Sequence, residues 1–327
     1  MLYHVKHIGI TLAAGLLSVC AAAQSRAELM TKDLIVKNKV KSVSQWNHKI
    51  VKGKVDPKGY ISVVTTYDEH GNVLQVENLK SDGRKSSTHE YTYDKNGNKV
   101  TYVQHQLMGG KWTMSYKQVI TYDPKGRKVA EDGFDGTTNY KILLTYRPDG
   151  KQETITKSNA FGRVDEKWVY SYTNNETKIE IYKQGTKLDR IVYKTTDSNG
   201  LVLEERTTKE SGDELSKSTF NYDKNGVLLS KLEYYGGSLK AQYDYKYTGG
   251  NLIEIIQTPV DGKAIVFRSY KYDDNGNMIE EQWFDGQPDD YSNRKIQLDN
   301  DGNVNQVETY YSDYKYKVVY RYTYKFN

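Results

Sequence analysis

The sequence predicts an all-β protein, an antiparallel β-meander of repeated hairpins forming an extended or coiled sheet. Three observations predict it. A Tyr-Asp turn recurs about every 25 residues. The residues entering each turn alternate apolar and polar with the period of a strand. A second, glycine-bearing turn falls between successive Tyr-Asp turns.

The anchor tyrosine stands at Tyr67, Tyr93, Tyr122, Tyr146, Tyr172, Tyr222, Tyr247, Tyr272 and Tyr324, and Thr196 and Leu298 occupy the same place in two units. Two residues earlier come Tyr91, Ile120, Leu144, Tyr170, Phe220, Tyr270 and Ile296. The intervening positions are polar, as at Thr92, Thr121, Thr145 and Lys271. Such alternation means strands with one buried face. In Tyr93-Asp94-Lys95-Asn96-Gly97 the Asp side chain can accept from amides further on, and Asn-Gly tolerates the positive φ of a tight hairpin. Opposite turns are expected at Asp82-Gly83, Gly109-Gly110, Asp135-Gly136, Gly185, Gly212, Gly236-Gly237, Asp261-Gly262 and Asp285-Gly286. Each unit is then two strands and two turns, giving roughly twenty strands in all. A sheet that large must coil, roll into a shell or fold over on itself.

Composition agrees. The chain has 327 residues, with 30 Tyr against 6 Phe, 27% charged and 37% hydrophobic residues. Tyrosine buries its ring and keeps its hydroxyl near water, which suits a thin structure with much surface. The net charge of +5 is spread among both signs, with no basic block that would call for nucleic acid.

Residues 1–23 read as a secretory signal. His4, Lys6 and His7 precede an apolar core from Ile8 to Val19, and Ala21-Ala22-Ala23 places cleavage before Gln24. A rival reading lipidates Cys20, the only cysteine, although Val19 is larger than a lipoprotein signal favours at that place. Export to the periplasm, cell surface or medium follows from either, and no later segment is apolar enough for a transmembrane helix. Residues 24–59 are irregular and are expected to cap the first edge of the array. Leu34-Ile35-Val36 and Val40 to Trp46 are candidate strands there, and a short helix is a candidate near Leu29–Asp33. The array itself is one domain over 60–327. Val318 to Phe326 is expected to be an unpaired edge, open to strand pairing between copies.

The units resemble the YD repeats of bacterial Rhs-type proteins and teneurins. Tyr122-Asp123-Pro124-Lys125-Gly126-Arg127 carries the family's Tyr-Asp-x-x-Gly-Arg core, and Asn159-Ala160-Phe161-Gly162-Arg163 is similar to a related turn. In most units the residue after Gly is not Arg, as at Asn98, Val227, Asn277 and Asn303. The resemblance implies a β-hairpin array. In large family members such arrays coil into a hollow shell. The pattern is also similar to short secreted repeat proteins of Bacteroidetes-type bacteria.

Catalytic, cofactor-binding and metal-binding residues are not expected. Asp273-Asp274-Asn275-Gly276 and Asp299-Asn300-Asp301-Gly302 begin like calcium loops, but Glu281 and Glu308 fall out of register for the bidentate acid, and Asp and Asn serve the turn in every unit. His48, His70, His89 and His105 are scattered. Glu204-Glu205 and Glu280-Glu281 are neighbours on strands and point to opposite faces, so they are poor acid–base pairs. There is no Gly-x-Ser-x-Gly elbow and no phosphate loop. The functional leads are Trp112 and Trp283, aromatic residues beside glycine turns. The expected role is structural or binding, with a protein or glycan partner. The alternatives are an outer-membrane β-barrel, against which Lys194, Arg268 and Arg294 fall in the apolar phase, and a polysaccharide-acting enzyme.

Overall fold

The computed structural model describes residues 30–287 and 289–327. The signal-like segment, Cys20 and the expected cleavage before Gln24 lie outside the described residues. One short helix, α1 (Lys32–Lys37), precedes β1 (Val40–His48) and a small hairpin of β2 (Ile50–Val51) and β3 (Lys54–Val55). The array opens with β4 (Tyr60–Tyr67), β5 (Val73–Leu79), β6 (Lys85–Tyr93), β7 (Lys99–Met108), β8 (Lys111–Tyr122) and β9 (Lys128–Phe134). It continues with β10 (Asn139–Tyr146), β11 (Gln152–Asn159), β12 (Val164–Tyr172), β13 (Glu176–Lys183), β14 (Lys187–Thr196) and β15 (Val202–Thr208). Next come β16 (Glu214–Tyr222), β17 (Leu228–Tyr235), β18 (Ser238–Thr248), β19 (Asn251–Pro259) and β20 (Ile265–Tyr272). The last strands are β21 (Met278–Phe284), β22 (Tyr291–Leu298), β23 (Val304–Tyr311) and β24 (Tyr316–Phe326). The expected antiparallel meander is therefore present.

From β4 to β24 each strand pairs antiparallel with the next in sequence. β1 pairs with both ends, placing Val43 opposite Thr65 of β4 and Tyr324 of β24. The 22-stranded sheet is thus closed into a barrel. This corrects two expectations. Val318 to Phe326 is not an open edge, because β24 lies between β23 and β1. Leu34-Ile35-Val36 is helical rather than a strand. Thr31 caps the helix by accepting the Leu34 N–H, and Ile35 packs on Val40 and Val43.

The curvature has a local source. At nearly every anchor the register slips by one residue, as between Thr92 and Tyr93, Thr121 and Tyr122, Asn221 and Tyr222, and Lys271 and Tyr272. Asp94 N–H bonds to Asn98 O, and Gly97 N–H to Asp94 O, with Gly97 at φ 79°. Asn96 is not at positive φ. The turn is a tight turn followed by a glycine bulge, not the two-residue Asn-Gly hairpin expected. A bulge bends its strand and increases twist, and repetition around the ring lets the sheet close.

The Asp side chain organises each such turn. Asp94 Oδ1 accepts from the amides of Asn96 and Asn98, and Oδ2 accepts from Asn98 Nδ2 at 3.0 Å. In Asp123-Pro124-Lys125-Gly126-Arg127 the guanidinium makes that last contact, with Nε 2.8 Å from Asp123 Oδ2. Asn and Arg after the glycine therefore do the same work. The anchor hydroxyl adds a latch between units. Tyr93, Tyr122, Tyr146, Tyr172, Tyr222 and Tyr272 donate to the carbonyls of Val73, Lys99, Lys128, Gln152, Val202 and Leu252, at 2.7–3.0 Å. Each contributes about 1 kcal/mol. No side-chain hydroxyl stands at Leu298.

All Tyr-Asp turns lie on one rim, together with α1 and the C-terminal Asn327, whose N–H bonds to Lys39 O. The glycine turns between units form the far rim. Positions in phase with the anchors face inward. On β10, Tyr140, Ile142 and Leu144 are buried while Lys141, Leu143 and Thr145 are exposed. The concave side crowds its side chains, so the apolar clusters lie there: Tyr140, Ile142, Leu144, Ile155, Tyr170, Ile179 and Ile181 on one arc, and Ile296, Val304, Val307, Val318 and Tyr320 on another. The substantial contacts between barrel strands run between ring neighbours. A barrel of this strand number encloses more space than its inward side chains fill.

Candidate functional site: the inner wall

The inner wall is not uniformly apolar. Lys194, Arg268 and Arg294, which looked out of place in the apolar phase, are inward residues with acidic partners. Lys194 Nζ lies 3.1 Å from Glu205 Oε2. Glu281 is 3% exposed and accepts from Arg268 Nη1 at 2.7 Å and Arg294 Nη2 at 2.5 Å. The pairing is set by register, since Glu281 sits opposite Tyr270 on one side and Arg294 on the other. Its neighbour Glu280 points outward and meets Lys271 at 3.1 Å. The two carboxylates thus occupy opposite faces, as the alternation requires. Beside this triad Asp285 accepts hydrogen bonds from the hydroxyls of Ser292 and Ser312.

A second cluster crosses β8 to β10. Tyr116 and Tyr140 share a hydroxyl–hydroxyl bond of 2.8 Å, Tyr140 donates to Glu131 Oε1 at 2.8 Å, and Lys128 Nζ reaches Glu131 Oε2 at 2.5 Å. Burial alone would raise the Glu131 pKa. The hydrogen bonds from Lys128, Gln118 and Tyr140 outweigh it and hold the carboxyl below its usual value. Gly133 is required here, because a Cβ would lie within 2.1 Å of the Tyr140 ring.

Across β6 to β8 the wall is aromatic, with Lys99 Nζ 5.8 Å from the centre of the Tyr102 ring. Tyr91 and Tyr102 stack at 5.0 Å between centroids, and the Tyr116 ring lies tilted against Tyr102 at 5.5 Å. His89 Nδ1 lies 2.8 Å from the Tyr102 hydroxyl, and burial lowers the His89 pKa. Burial pushes Tyr102 up to about 12. Gln104 and Gln118 complete this strip, opposite Tyr116 and Tyr102 respectively.

Trp112 and Trp283, the two aromatic leads, are not brought together. Trp283 is an inward residue opposite Arg268 and Ser292, with its ring edge-on to Tyr311. Trp112 lies at the far rim on β8, half exposed, many strands away around the ring. A separate open groove of about 860 Å³ lies on the Tyr-Asp rim between α1 and the first two turns, lined by Lys32, Val36, His70, Leu74, Tyr93 and Asn96 among others. Lys32 Nζ closes one side of it on Asn72 Oδ1 at 2.7 Å. The first aspartate of each calcium-like loop is committed to its own turn, Asp273 Oδ1 accepting from the Asn275 and Asn277 amides and Asp299 Oδ1 from the Asp301 and Asn303 amides. Among the described residues no group of three or more His, Cys, Asp or Glu is placed to hold a metal ion. No helix among them is long and apolar enough to cross a membrane.

The Glu281 and Glu131 clusters were missed in the sequence. The signal available was a basic residue in the apolar phase of a strand, with an acid in the same phase one strand away.

No family model and no curated protein matches the chain. Among solved structures it is similar to a Photorhabdus luminescens Tc holotoxin pore, at 11% identity and a TM-score of 0.28 over 83% of this chain. The chain spans 19% of that protein's length. It is also similar to porin-like proteins from Bacteroides uniformis and Bacteroides vulgatus. These share 14% and 11% identity, with TM-scores of 0.28 and 0.25, over 88% of this chain and 98% of theirs. At such TM-scores the likeness carries no functional inference. From its own strands and turns, the chain is an antiparallel β-repeat protein.

Proposed function

We propose that the protein is exported and acts without catalysis, as a barrel-shaped repeat protein that binds a protein or glycan partner. The observation that carries this reading is the division of labour between the two faces of the wall. The outer face carries charged pairs and hydroxyls, with only scattered exposed leucines such as Leu143 and Leu203 among them: Lys246 pairs with Glu254 at 3.0 Å, Lys271 with Glu280, and Lys295 stands between Glu280 and Glu308. Thr92 and Thr101, and Thr145 and Thr154, share hydroxyl contacts there. Such a face is at home in water, whereas a spanning barrel needs an apolar outer band. The inward acids of both clusters are engaged with cations and hydroxyls. The tyrosine, histidine and glutamine side chains of β6 to β8 offer hydrogen-bonding groups and ring edges to a lumenal guest.

One observation favours the outer-membrane alternative. The strand number is even and both ends of the described chain lie on one rim, as in bacterial outer-membrane barrels. Fractionation separates the two. Expressed with its own N-terminal segment, the protein is expected outside the cytoplasm and soluble without detergent, and to retain a glycan on an array or a partner in crosslinking. A requirement for detergent with heat-modifiable gel mobility would make it a membrane barrel. Release of reducing ends from a polysaccharide panel would make it an enzyme.

A further inference from the structure

The two rims differ in chemistry. The Tyr-Asp rim presents Asp, Asn, Lys and Gly at its turns, with Phe326 and Val36 exposed and Leu74, Leu203, Val227 and Leu229 less so at or just beyond them. On the far rim large apolar side chains stand at every second turn or so: Met108 and Trp112 between β7 and β8, Phe161 between β11 and β12, Tyr235 before β18, Val260 after β19 and Tyr314 between β23 and β24. Phe161 is 95% exposed and Tyr314 79%. None of these residues fills the core, and the repeat does not require them, since the matching tips elsewhere are Asp82-Gly83 and Ser211-Gly212. Exposed basic residues stand among them on the arc from β2 to β14: Lys52, Lys111 and Lys187, and also Arg84, Arg163 and Lys183, which lie beside the carboxylates of Asp82, Asp165 and Asp189. Acids stand at far-rim turns as well, Asp82 and Asp135 on this arc and Glu210, Asp213, Asp261, Asp289, Asp290 and Asp313 on the rest of the rim, so the rim is most basic between β2 and β14.

We propose that the far rim is a docking face for an anionic phospholipid bilayer, entered by the aromatic and aliphatic turn tips and held by the basic arc. The tips are spread around the circumference with polar turns between them, so a partner that meets them together must be flat and as wide as the barrel. A compact protein partner would instead find separate single contacts. Tryptophan, tyrosine and phenylalanine favour the level of the lipid headgroups, and lysine and arginine reach phosphate from the same level. The charged outer face of the wall limits the contact to the tips, so the barrel stands on the surface and does not span it. This docking is independent of what the lumen binds.

The test is flotation of the full chain with vesicles of phosphatidylethanolamine and phosphatidylglycerol in equal parts, at low salt. Wild type is expected to float, and added salt to weaken it. The double variant Trp112→Ser, Phe161→Ser is expected to bind about tenfold more weakly. Arg163→Glu, at an exposed tip where folding is not at stake, is expected to weaken binding in the same direction. Phe326→Ser on the other rim should leave binding unchanged. The proposal is overturned if wild type stays with the aqueous fraction, or if Phe326→Ser weakens flotation as much as the double variant. It is also overturned if sedimentation finds, without lipid binding, a dimer that the double variant dissociates, for then a second copy covers the rim.

Discussion

Glu281 accepts from two guanidiniums on the inner wall, and removing its charge strands both. Alternation along β21 was enough to place Glu280 and Glu281 on opposite faces and to mark Arg268 and Arg294 as odd. It could not join them, because which residues face each other across strands depends on bulges whose effect is three-dimensional. Glu281→Gln keeps the shape and leaves two cations facing one neutral amide in a partly buried setting. Losing one member of a buried ion cluster costs about 3 kcal/mol. Glu280 makes a solvent-exposed pair with Lys271, so Glu280→Gln should change stability by less than about 0.5 kcal/mol. Urea unfolding of the two variants, one residue apart, reads the difference directly. Equal effects would mean that Glu281 is not held between the two arginines.

At the scale of the element, β1 is the part of the molecule that the repeat does not encode. Its sequence, Val-Lys-Ser-Val-Ser-Gln-Trp-Asn-His, has strand character but lacks the Tyr-Asp turn, so it reads as a leader to the array. The structure makes it the strand that joins the first and last units. Val43 packs inward between Thr65 and Tyr324, Gln45 Oε1 accepts from the Tyr322 hydroxyl, and Trp46 Nε1 donates to Thr323. α1 reinforces the joint, with Asn38 Nδ2 2.7 Å from Asn303 Oδ1 in the last turn and Lys32 on Asn72 in the first. Val43→Pro removes an amide from the middle of a doubly paired strand and should cost about 3 kcal/mol or more. It should also uncover β4 and β24, whose unpaired groups then seek other chains. Concentration-dependent oligomers on size exclusion, absent from Val43→Ala, are the expected outcome. A strictly monomeric Val43→Pro variant with native stability would show that β1 does not hold the ring closed.

For the whole molecule, strand number, strand phase and turn positions were legible because each follows from local periodicity. Closure was not, because it is the sum of small bends at many bulges, and the turn chemistry reveals the bulge only once Gly97 and Asn96 are seen to differ in φ. The same repetition makes the molecule's response to acid a collective property. Asp94 and Asp273 lie below the ordinary carboxylate pKa, chiefly through side-chain hydrogen bonds from Asn98 and Asn277. Asp123 and Asp223 are lowered chiefly by the amides of Arg127 and Val227. A carboxyl whose folded pKa is depressed binds protons more readily when unfolded. Its contribution to stability is full above the unfolded value of about 3.9 and is lost as pH falls through the lower folded value. Because the turns share one rim and one design, these losses fall in the same window. The barrel should hold its stability from neutral pH down to about pH 5 and then lose it steeply below about pH 4. Asp94→Asn keeps much of the turn geometry but removes one titrating group. It should flatten the acid limb slightly and leave the neutral plateau lower. Thermal melts across that range, followed by circular dichroism, measure both, and a melting temperature that stays constant through pH 3 would show that the turn carboxylates are not held in the ionised form by the fold.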